Sequence, residues 1–398
     1  MSDIFHEQLQ ALRAHAPQRK LREVGGAQGA RIELVGQELV NFSSDDYLGL
    51  ANDPLLREAA TAAVAEFGVG SGASRLMTGT HSPHARLESA LGKWKGTPAA
   101  LSFSSGYAAA VGTIPALVGK EDVVILDKLC PASLIDGAKL SGASIRVFPH
   151  NHLGKLESHL DWARNERPDA RVLIVTESVS LVEGDRAPLR EIVGLKKRYS
   201  ATLLLDEGQA DGVIGSNGRG LAAEENLTKE VDVQMGTLSK ALGVSGGYVC
   251  GSRSLIEWLL NRARSFIFSA APPPAFAAAA TAAIEFLNSD AGEHRRVLLW
   301  QRIGLLRRWL GHNPISDAPF SASGSAIHPT VIGDEHATID LSRSLETEGF
   351  LVPAIRCPMV AKGSARLRVS VTAAHEEPQI RRLAESLRRL RAELTAAA

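Results

Sequence analysis

Residues 201–240 read ATLLLDEGQADGVIGSNGRGLAAEENLTKEVDVQMGTLSK, and this stretch is the most informative about the architecture. It contains two short apolar runs, ATLLLDE (201–207) and VDVQMGTL (231–238). Runs that are apolar on both faces and separated by helical patterns indicate a buried, mostly parallel sheet. Each run leads to a side chain that can do chemistry, Asp206 in one case and Lys240 in the other. Ligands of such sheets bind beyond the carboxyl ends of the strands.

The same alternation continues on both sides of this stretch. Five further short runs have the same character: AALSF (99–103), DVVILD (122–127), SIRVFP (144–149), RVLIVTE (171–177) and YVCG (248–251). We therefore predict an α/β fold, with a large domain over residues 46–288 whose mostly parallel sheet is flanked by helices. Residues 1–45 are predicted as a helical lead-in segment, and residues 289–398 as a small α/β domain. The last helix begins near Pro378, a residue suited to a first helical turn.

Composition restricts the class of protein. The chain has 398 residues with 44 basic and 44 acidic side chains, so its formal net charge is zero and nucleic acid is not the expected partner. Three cysteines without CxxC spacing argue against a disulfide framework or a metal site. Residues 1–20 have no apolar core, so we expect no signal peptide. The apolar stretch over 266–287 is interrupted by three prolines, so we expect no membrane segment there. We expect a cytoplasmic protein.

The pair formed by Asp206 and Lys240 carries the functional hypothesis. The two residues are 34 positions apart, enough for one helix and one more strand, so both side chains can reach the same edge of the sheet. A desolvated lysine can form a Schiff base with an aldehyde, as enzymes that use pyridoxal phosphate require. A carboxylate can pair with the protonated pyridine nitrogen of that cofactor. Taken singly, Lys240 could be a solvated lysine and Asp206 a helix cap.

A third element is FSSGYAAA (103–110), in which a strand runs into a helix through a Ser-Ser-Gly turn. Helix amino termini bind phosphate through free N–H groups and the helix dipole. Many strand-to-helix turns look alike, so this element alone is a weak signal. Together the three elements suggest a site for a phosphorylated aldehyde cofactor.

At this point the chain resembles the α-oxoamine synthases, fold-type I pyridoxal phosphate enzymes that condense an amino acid with an acyl thioester. The matching segments run in order over almost the whole chain: NFSSDDYLGL (41–50), GVGSGASRLMTGTHSPHARLE (68–88), SSGYAAA (104–110), VTESVSLVEGDRAPL (175–189), LLDEGQADGVIGSNGRG (204–220), GTLSKALGVSGG (236–247) and GSARLRVSVTAAH (363–375). The carboxyl-terminal stretch is most similar to family members of biotin biosynthesis, which use L-alanine and a pimeloyl thioester, on coenzyme A or a carrier protein, with loss of carbon dioxide.

The resemblance implies a role for each matching residue. Lys240 would hold pyridoxal 5'-phosphate as a Schiff base and act as acid and base, while Asp206 would hold the pyridine nitrogen. The other cofactor contacts would be Gly106 and Tyr107 at the phosphate turn, Thr237 near the phosphate, and Gln209 at the ring oxygen.

Two arginines would bind the substrates. Arg368 would grip the amino-acid carboxylate with bidentate geometry, unless it is a surface arginine on a small-domain strand. Arg22 would bind the distal carboxylate of the pimeloyl chain, but RKLR (19–22) offers three basic candidates and a solvated face is an equal alternative. The family also implies a homodimer in which the segments 68–80 and 269–274 cross over to the second subunit. A pair of surface loops is the alternative for those two segments.

Six positions depart from the family pattern. They are Pro131 in place of a stacking histidine, Gln209 in place of a histidine, Leu181 in place of a serine, Asp45 in place of an asparagine, Ala270 in place of a threonine, and Met359 in place of a threonine. Gln209 keeps an N–H donor for the ring oxygen, whereas Leu181 cannot form a side-chain hydrogen bond. Asp45 adds negative charge where a substrate carboxylate is expected to lie.

Three functional hypotheses follow from this combination. The first is an active acyltransferase of the family type, and the second is a related pyridoxal phosphate enzyme with changed specificity. The third is a weakly active or inactive subunit that pairs with an active homologue. A non-enzymatic binding module would leave the pair Lys240 and Asp206 without a purpose.

Overall fold

The structure, a computed structural model, describes residues 4–15, 21–310, 324–357 and 359–397. The strands in these ranges are, in chain order, β1 (Arg31–Leu34), β2 (Gln37–Asn41), β3 (Ala99–Phe103), β4 (Val123–Asp127), β5 (Ser144–Phe148), β6 (Val172–Glu177), β7 (Thr202–Asp206), β8 (Val233–Thr237), β9 (Gly247–Gly251), β10 (Ile327–Gly333), β11 (Phe350–Leu351), β12 (Ala354–Ile355) and β13 (Ala365–Ser370).

The helices in the same ranges are α1 (Ile4–His15), α2 (Pro54–Phe67), α3 (Ser82–Lys95), α4 (Gly106–Leu117), α5 (Ala132–Ser141), α6 (Leu153–Glu166), α7 (Leu189–Arg198), α8 (Leu221–Glu224), α9 (Arg253–Arg262), α10 (Arg264–Ile267), α11 (Pro274–Leu287), α12 (Asp290–Trp309), α13 (Glu335–Thr347) and α14 (Glu377–Ala397). A single 3₁₀ turn over Ser216–Gly218 precedes α8.

The central sheet has seven strands in the order β3-β9-β8-β7-β6-β4-β5. Strand β9 runs antiparallel to both of its neighbours, and the other pairs in this sheet are parallel. The seven apolar runs of the sequence coincide with these seven strands, so the predicted large, mostly parallel sheet is confirmed. The prediction succeeded because both faces of the sheet are covered: β4, for example, is buried at every position.

A small sheet follows in the carboxyl-terminal part, with the strand order β10-β13-β12 and antiparallel pairing. Helix α14 packs one apolar face inward, and Ile380, Leu383 and Leu387 on that face are buried. Pro378 lies in the first turn of α14, as the sequence predicts. An α/β small domain is therefore observed alongside the large sheet.

The lead-in segment is helical only at its start. Helix α1 is present, but β1 and β2 form an antiparallel hairpin, and β2 pairs in parallel with β11 of the carboxyl-terminal part. Ile32, Leu34 and Leu39 of the hairpin are buried in a small apolar cluster. Because this pairing joins residues about 310 positions apart, the local pattern did not reveal it. The boundaries at 45 and 288 remain a proposal.

Candidate active site

Asp206 and Lys240 lie at the same edge of the central sheet. Asp206 is the last residue of β7, and Lys240 follows the end of the neighbouring parallel strand β8 by three residues. Burial raises the pKa of Asp206, and the positive charge of Lys240 opposes that rise. The Asp206 Oδ1 atom also accepts a hydrogen bond from the Gly208 N–H at 2.9 Å. The structure thus brings the two predicted residues into electrostatic contact.

Glu177 is a site residue that the sequence reasoning missed. It is the last residue of β6 and is paired in register with Asp206 on β7. Burial and the neighbouring Asp206 raise the pKa of Glu177 to about 8, and Lys240 opposes this shift. The signal was available in the sequence, since Glu177 follows the apolar residues of RVLIVTE much as Asp206 follows those of ATLLLDE.

The predicted phosphate turn lies beside β8. Ser105 caps α4, whose first residues are Gly106 and Tyr107, through a hydrogen bond from the Ala108 N–H. A Cβ atom at Gly106 would lie 3.2 Å from the Cβ of Thr237, so a larger residue at the start of α4 would crowd Thr237. Thr237 Oγ1 donates to the Gly246 carbonyl at 3.0 Å and lies 2.8 Å from Ser239 Oγ. A helix amino terminus and two hydroxyl groups therefore converge there, an arrangement that suits a phosphate.

Gln209 provides the test of whether the site fits the cofactor. Its side chain is buried, and Tyr47 donates a hydrogen bond to Gln209 Oε1 at 2.5 Å. Gln209 Nε2 is buried and has no hydrogen-bond partner within the described ranges. A buried amide donor without a partner is costly, so a ligand acceptor at this position is expected. The ring oxygen of pyridoxal phosphate is such an acceptor, and the residues present therefore fit this cofactor.

Arg368, the predicted carboxylate-binding residue, is engaged within the chain. Its Nη2 atom lies 2.9 Å from Asp45 Oδ1. This ion pair links the arginine predicted to bind the substrate carboxylate to Asp45, one of the six residues that depart from the family pattern. Burial lowers the pKa of Arg368, but contacts with Tyr47 and Asp45 outweigh it and the net shift is upward. The side chain of Arg368 is only 7% exposed, which excludes the alternative of a surface arginine.

Three further departures can be placed. Pro131 directly precedes α5 and provides no side-chain cap for that helix, and it follows the carboxyl end of β4 at the same edge as Asp206. The backbone N–H of Leu181 donates to Glu177 Oε2 at 3.2 Å, so this residue contributes its main chain to the site. Ala270 forms an isolated bridge with Ser74, which links the two segments expected at a subunit interface.

Two sequence candidates remain, Arg22 and Met359. Arg22 forms a bidentate ion pair with Glu346 of α13, in which Nη2 donates to Oε1 at 2.6 Å and Nη1 donates to Oε2 at 2.9 Å. Both side chains are partly exposed. Its binding of an acyl carboxylate stays a prediction. Met359 is 49% exposed beyond β12.

A cavity of about 460 Å³ opens beside the site. Asp45 and Ser239 line it together with Val24, Gln28 and Leu351 from the β1–β2–β11 region. None of the helices in the described ranges combines the length and the hydrophobicity that a membrane-spanning helix needs. The same ranges contain no group of three or more His, Cys, Asp or Glu side chains that could hold a metal ion.

Comparison with known proteins places this fold and site in a family. Residues 37–387 match the sequence model of the aminotransferase class I and II family. The chain is 44% identical over 389 residues to the 8-amino-7-oxononanoate synthase of Geobacter sulfurreducens, covering 97% of each chain. It is 43% identical to the synthase of the same name from Citrifermentans bemidjiense, covering 94% of this chain and 95% of the relative.

Solved structures agree with the sequence comparison. A serine palmitoyltransferase variant from S. paucimobilis with a bound aldimine of pyridoxal phosphate and myriocin superposes with a TM-score of 0.89. It is 28% identical, and the match covers 99% of this chain and 98% of the other. An 8-amino-7-oxononanoate synthase from Francisella tularensis has a TM-score of 0.75 at 26% identity, over 90% of this chain and 98% of that one.

The sheet, the lysine–aspartate pair and these matches define an enzyme of the fold-type I class. Within that class, the chain belongs to the α-oxoamine synthase branch of the aminotransferase class I and II family. The resemblance seen in the sequence is thereby confirmed.

Proposed function

We propose that the protein is a pyridoxal phosphate-dependent acyltransferase that condenses L-alanine with a pimeloyl thioester and releases carbon dioxide. The observation that carries this proposal is the identity of 41–44% to 8-amino-7-oxononanoate synthases over nearly the whole chain. The buried amide nitrogen of Gln209, three residues after Asp206, has no hydrogen-bond partner among the described residues and supports the cofactor assignment. The alternatives of changed specificity or of an inactive subunit are less well supported, because the similarity extends to both ends of the fold.

The proposed division of labour follows from the geometry. When bound, pyridoxal phosphate supplies an electron sink for the bonding electrons released at the α-carbon of the amino acid. Lys240 binds the cofactor covalently and moves the proton at the α-carbon. Asp206, held in place by the Gly208 N–H, keeps a proton at the pyridine nitrogen. Gln209 Nε2, which is buried and has no partner among the described residues, would donate a hydrogen bond to the ring oxygen.

The remaining residues orient the substrates and the phosphate. The start of α4 at Gly106 and Tyr107, together with Thr237, holds the phosphate group. In this scheme Arg368 would orient the amino-acid carboxylate, and Arg22 would bind the distal carboxylate of the pimeloyl chain. The protonated form of Glu177, favoured by its raised pKa, adds no negative charge beside Asp206 at neutral pH.

The assembly in this proposal is a cytoplasmic homodimer. Large apolar side chains are exposed on the first segment expected to cross over, namely Val69 (81%), Met77 (77%) and Leu76 (48%), and Phe268 (71%) directly precedes the second. Burial of such a patch against a second copy would remove it from water. Sedimentation at micromolar concentration should give the mass of a dimer, and a stable monomer would contradict this part of the proposal.

Product analysis tests the activity itself. The purified protein, supplied with pyridoxal phosphate, should convert L-alanine and pimeloyl-CoA or a pimeloyl carrier protein into 8-amino-7-oxononanoate, detected by mass spectrometry. Carbon dioxide should appear in equal amount. Glycine and L-serine serve as competing donors in the same assay. Faster turnover with either of them than with L-alanine would contradict L-alanine as the donor and identify that amino acid as the donor instead.

A further inference from the structure

Every nitrogen of the Arg368 guanidinium has a partner within the chain. Nε donates to the Leu181 carbonyl at 2.9 Å, and Nη1 donates to Ser370 Oγ at 2.8 Å. Nη2 donates to Asp45 Oδ1 at 2.9 Å and lies 3.4 Å from the Tyr47 hydroxyl. An arginine that is to grip a substrate carboxylate with two N–H groups must first release some of these contacts.

Charge identifies the contact that a substrate would replace. Leu181 offers a neutral carbonyl and Ser370 a neutral hydroxyl, whereas Asp45 offers a carboxylate. A buried guanidinium strongly requires an anionic partner, and Asp45 already meets that requirement. An amino-acid carboxylate therefore gains little from Arg368 unless Asp45 leaves.

We propose that Asp45 is a specificity-determining residue, an internal carboxylate that competes with the α-carboxylate of the amino donor for Arg368. This inference rests on the proposed function, since it takes the donor to be an amino acid bound at Arg368. The affinity for the donor then depends on how much more strongly Arg368 binds the substrate carboxylate than it binds the carboxylate of Asp45. An asparagine at position 45 would offer an amide without the competing charge.

The surroundings allow Asp45 to leave. Its side chain is 34% exposed, against 7% for Arg368, and it lines the cavity of about 460 Å³ next to Ser43, Ser44 and Ser239. Its backbone carbonyl is fixed by the Tyr47 N–H at 2.8 Å, so the side chain can turn into the cavity while the main chain stays in place. A displaced Asp45 would find hydroxyl groups and water there instead of Arg368.

The substitution Asp45→Asn tests the proposal by ligand affinity. The protein loaded with pyridoxal phosphate is titrated with L-alanine, and the change in cofactor absorbance gives the Kd. Asp45→Asn should tighten L-alanine binding on the order of tenfold or more, because the arginine no longer has a charged internal partner. L-alaninamide, which lacks the carboxylate, should bind parent and variant alike. Equal or weaker binding of L-alanine by the variant would overturn the proposal.

Two further proteins make the comparison specific. Glu38→Gln removes one negative charge from an exposed pair with Arg31 and should leave the affinity for L-alanine unchanged. Arg368→Met should abolish the gain that Asp45→Asn produces, since both act through the same guanidinium. If Asp45→Asn does not fold, Asp45→Ser removes the charge in the same way. A gain that survives in the double variant with Arg368→Met would contradict competition at Arg368.

A readout without the cofactor separates this inference from the proposed function. Acetate, compared with chloride at equal ionic strength, should raise the Tm of Asp45→Asn more than that of the parent, because it can replace the lost carboxylate. Product formation from L-alanine and pimeloyl-CoA reports on the function alone. Tighter L-alanine binding without any product would refute the acyltransferase and support the role of Asp45. Product without tighter binding would refute the role of Asp45 and support the acyltransferase.

Discussion

Glu177 and Asp206 stand side by side at the carboxyl ends of β6 and β7, so two carboxyl groups share one buried edge of the sheet. Two like charges at such close range cannot both be ionised cheaply, and burial raises the pKa of both groups. The pKa of Glu177 rises to about 8. The positive charge of Lys240 acts on both groups, and Asp206 is the one that, in our proposal, pairs with the pyridine nitrogen. We therefore assign the proton to Glu177 at neutral pH.

This assignment predicts a pH-dependent stability. The pKa of Glu177 is higher in the folded protein, about 8, than its ordinary value of 4.5. Between these values the unfolded chain has lost a proton that the folded protein keeps, so the stabilising contribution is lost as pH rises from 4.5 to 8. Glu177→Gln should flatten the fall in Tm of the cofactor-free protein over this range. Glu58→Gln, at an exposed position of α2, should leave the slope unchanged. An identical slope in Glu177→Gln and the parent would refute a protonated Glu177.

Lys240→Ala should abolish stable cofactor binding. The purified parent should be yellow and retain its visible absorbance on dialysis, because Lys240 holds the cofactor covalently. The alanine variant keeps Asp206 and the start of α4 but lacks the covalent bond, so its colour should be lost on dialysis. Lys120→Ala, at an exposed lysine, should behave like the parent. A parent that stays colourless with added pyridoxal phosphate would exclude the cofactor assignment altogether.

The contacts of His150 predict that the folded protein also loses stability at alkaline pH. Its Nδ1 lies 3.0 Å from both oxygens of Asp127 and its Nε2 lies 3.0 Å from Asp185. Burial lowers the pKa of His150, but the two hydrogen-bonded carboxylates outweigh it and raise the pKa to about 10. The contribution of His150 is thus complete below about pH 6.5 and is lost as pH rises through 10.

The corresponding variant is His150→Gln, which removes the charge between the two carboxylates. We expect a loss of about 1–3 kcal/mol in the free energy of unfolding at pH 7, because Asp127 is buried and loses its cationic partner. The difference between parent and variant should shrink as pH approaches 10. His294→Gln, at an exposed position of α12, is the matched control. A difference that stays constant from pH 7 to pH 10 would contradict a charged His150.

The sequence was sufficient for the central sheet and the lysine–aspartate pair because both depend on local signals. A strand covered on both faces is apolar along its whole length, and a polar side chain at its end stands out. The hairpin β1–β2 gave no such signal, since its partner β11 lies about 310 residues away. The replacement at Asp45 was visible, but its ion pair with Arg368 spans 323 residues and required the structure.

Pro131 is the departure with the largest expected effect on the amino donor. A histidine ring over the pyridine would add about 0.5–1.5 kcal/mol of stacking. A hydrogen bond from that ring to the substrate carboxylate would add about 1.5–3 kcal/mol. Proline provides van der Waals contact alone. We therefore expect slow turnover and weak L-alanine binding in the parent, with nearly normal retention of the cofactor through Lys240 and Asp206.

Pro131→His should tighten L-alanine binding by about tenfold or more, measured by titration of the cofactor absorbance. The backbone at 131 has φ −63° and ψ 156°, a conformation open to any residue, so the exchange should not disturb the start of α5. Gln209→His should change the affinity less, because Gln209 already carries a donor. Ala132→His places the same ring on the exposed neighbour and should have no effect. If the parent already binds L-alanine as tightly as Pro131→His does, the absence of a histidine ring at position 131 does not weaken L-alanine binding, and the prediction is wrong.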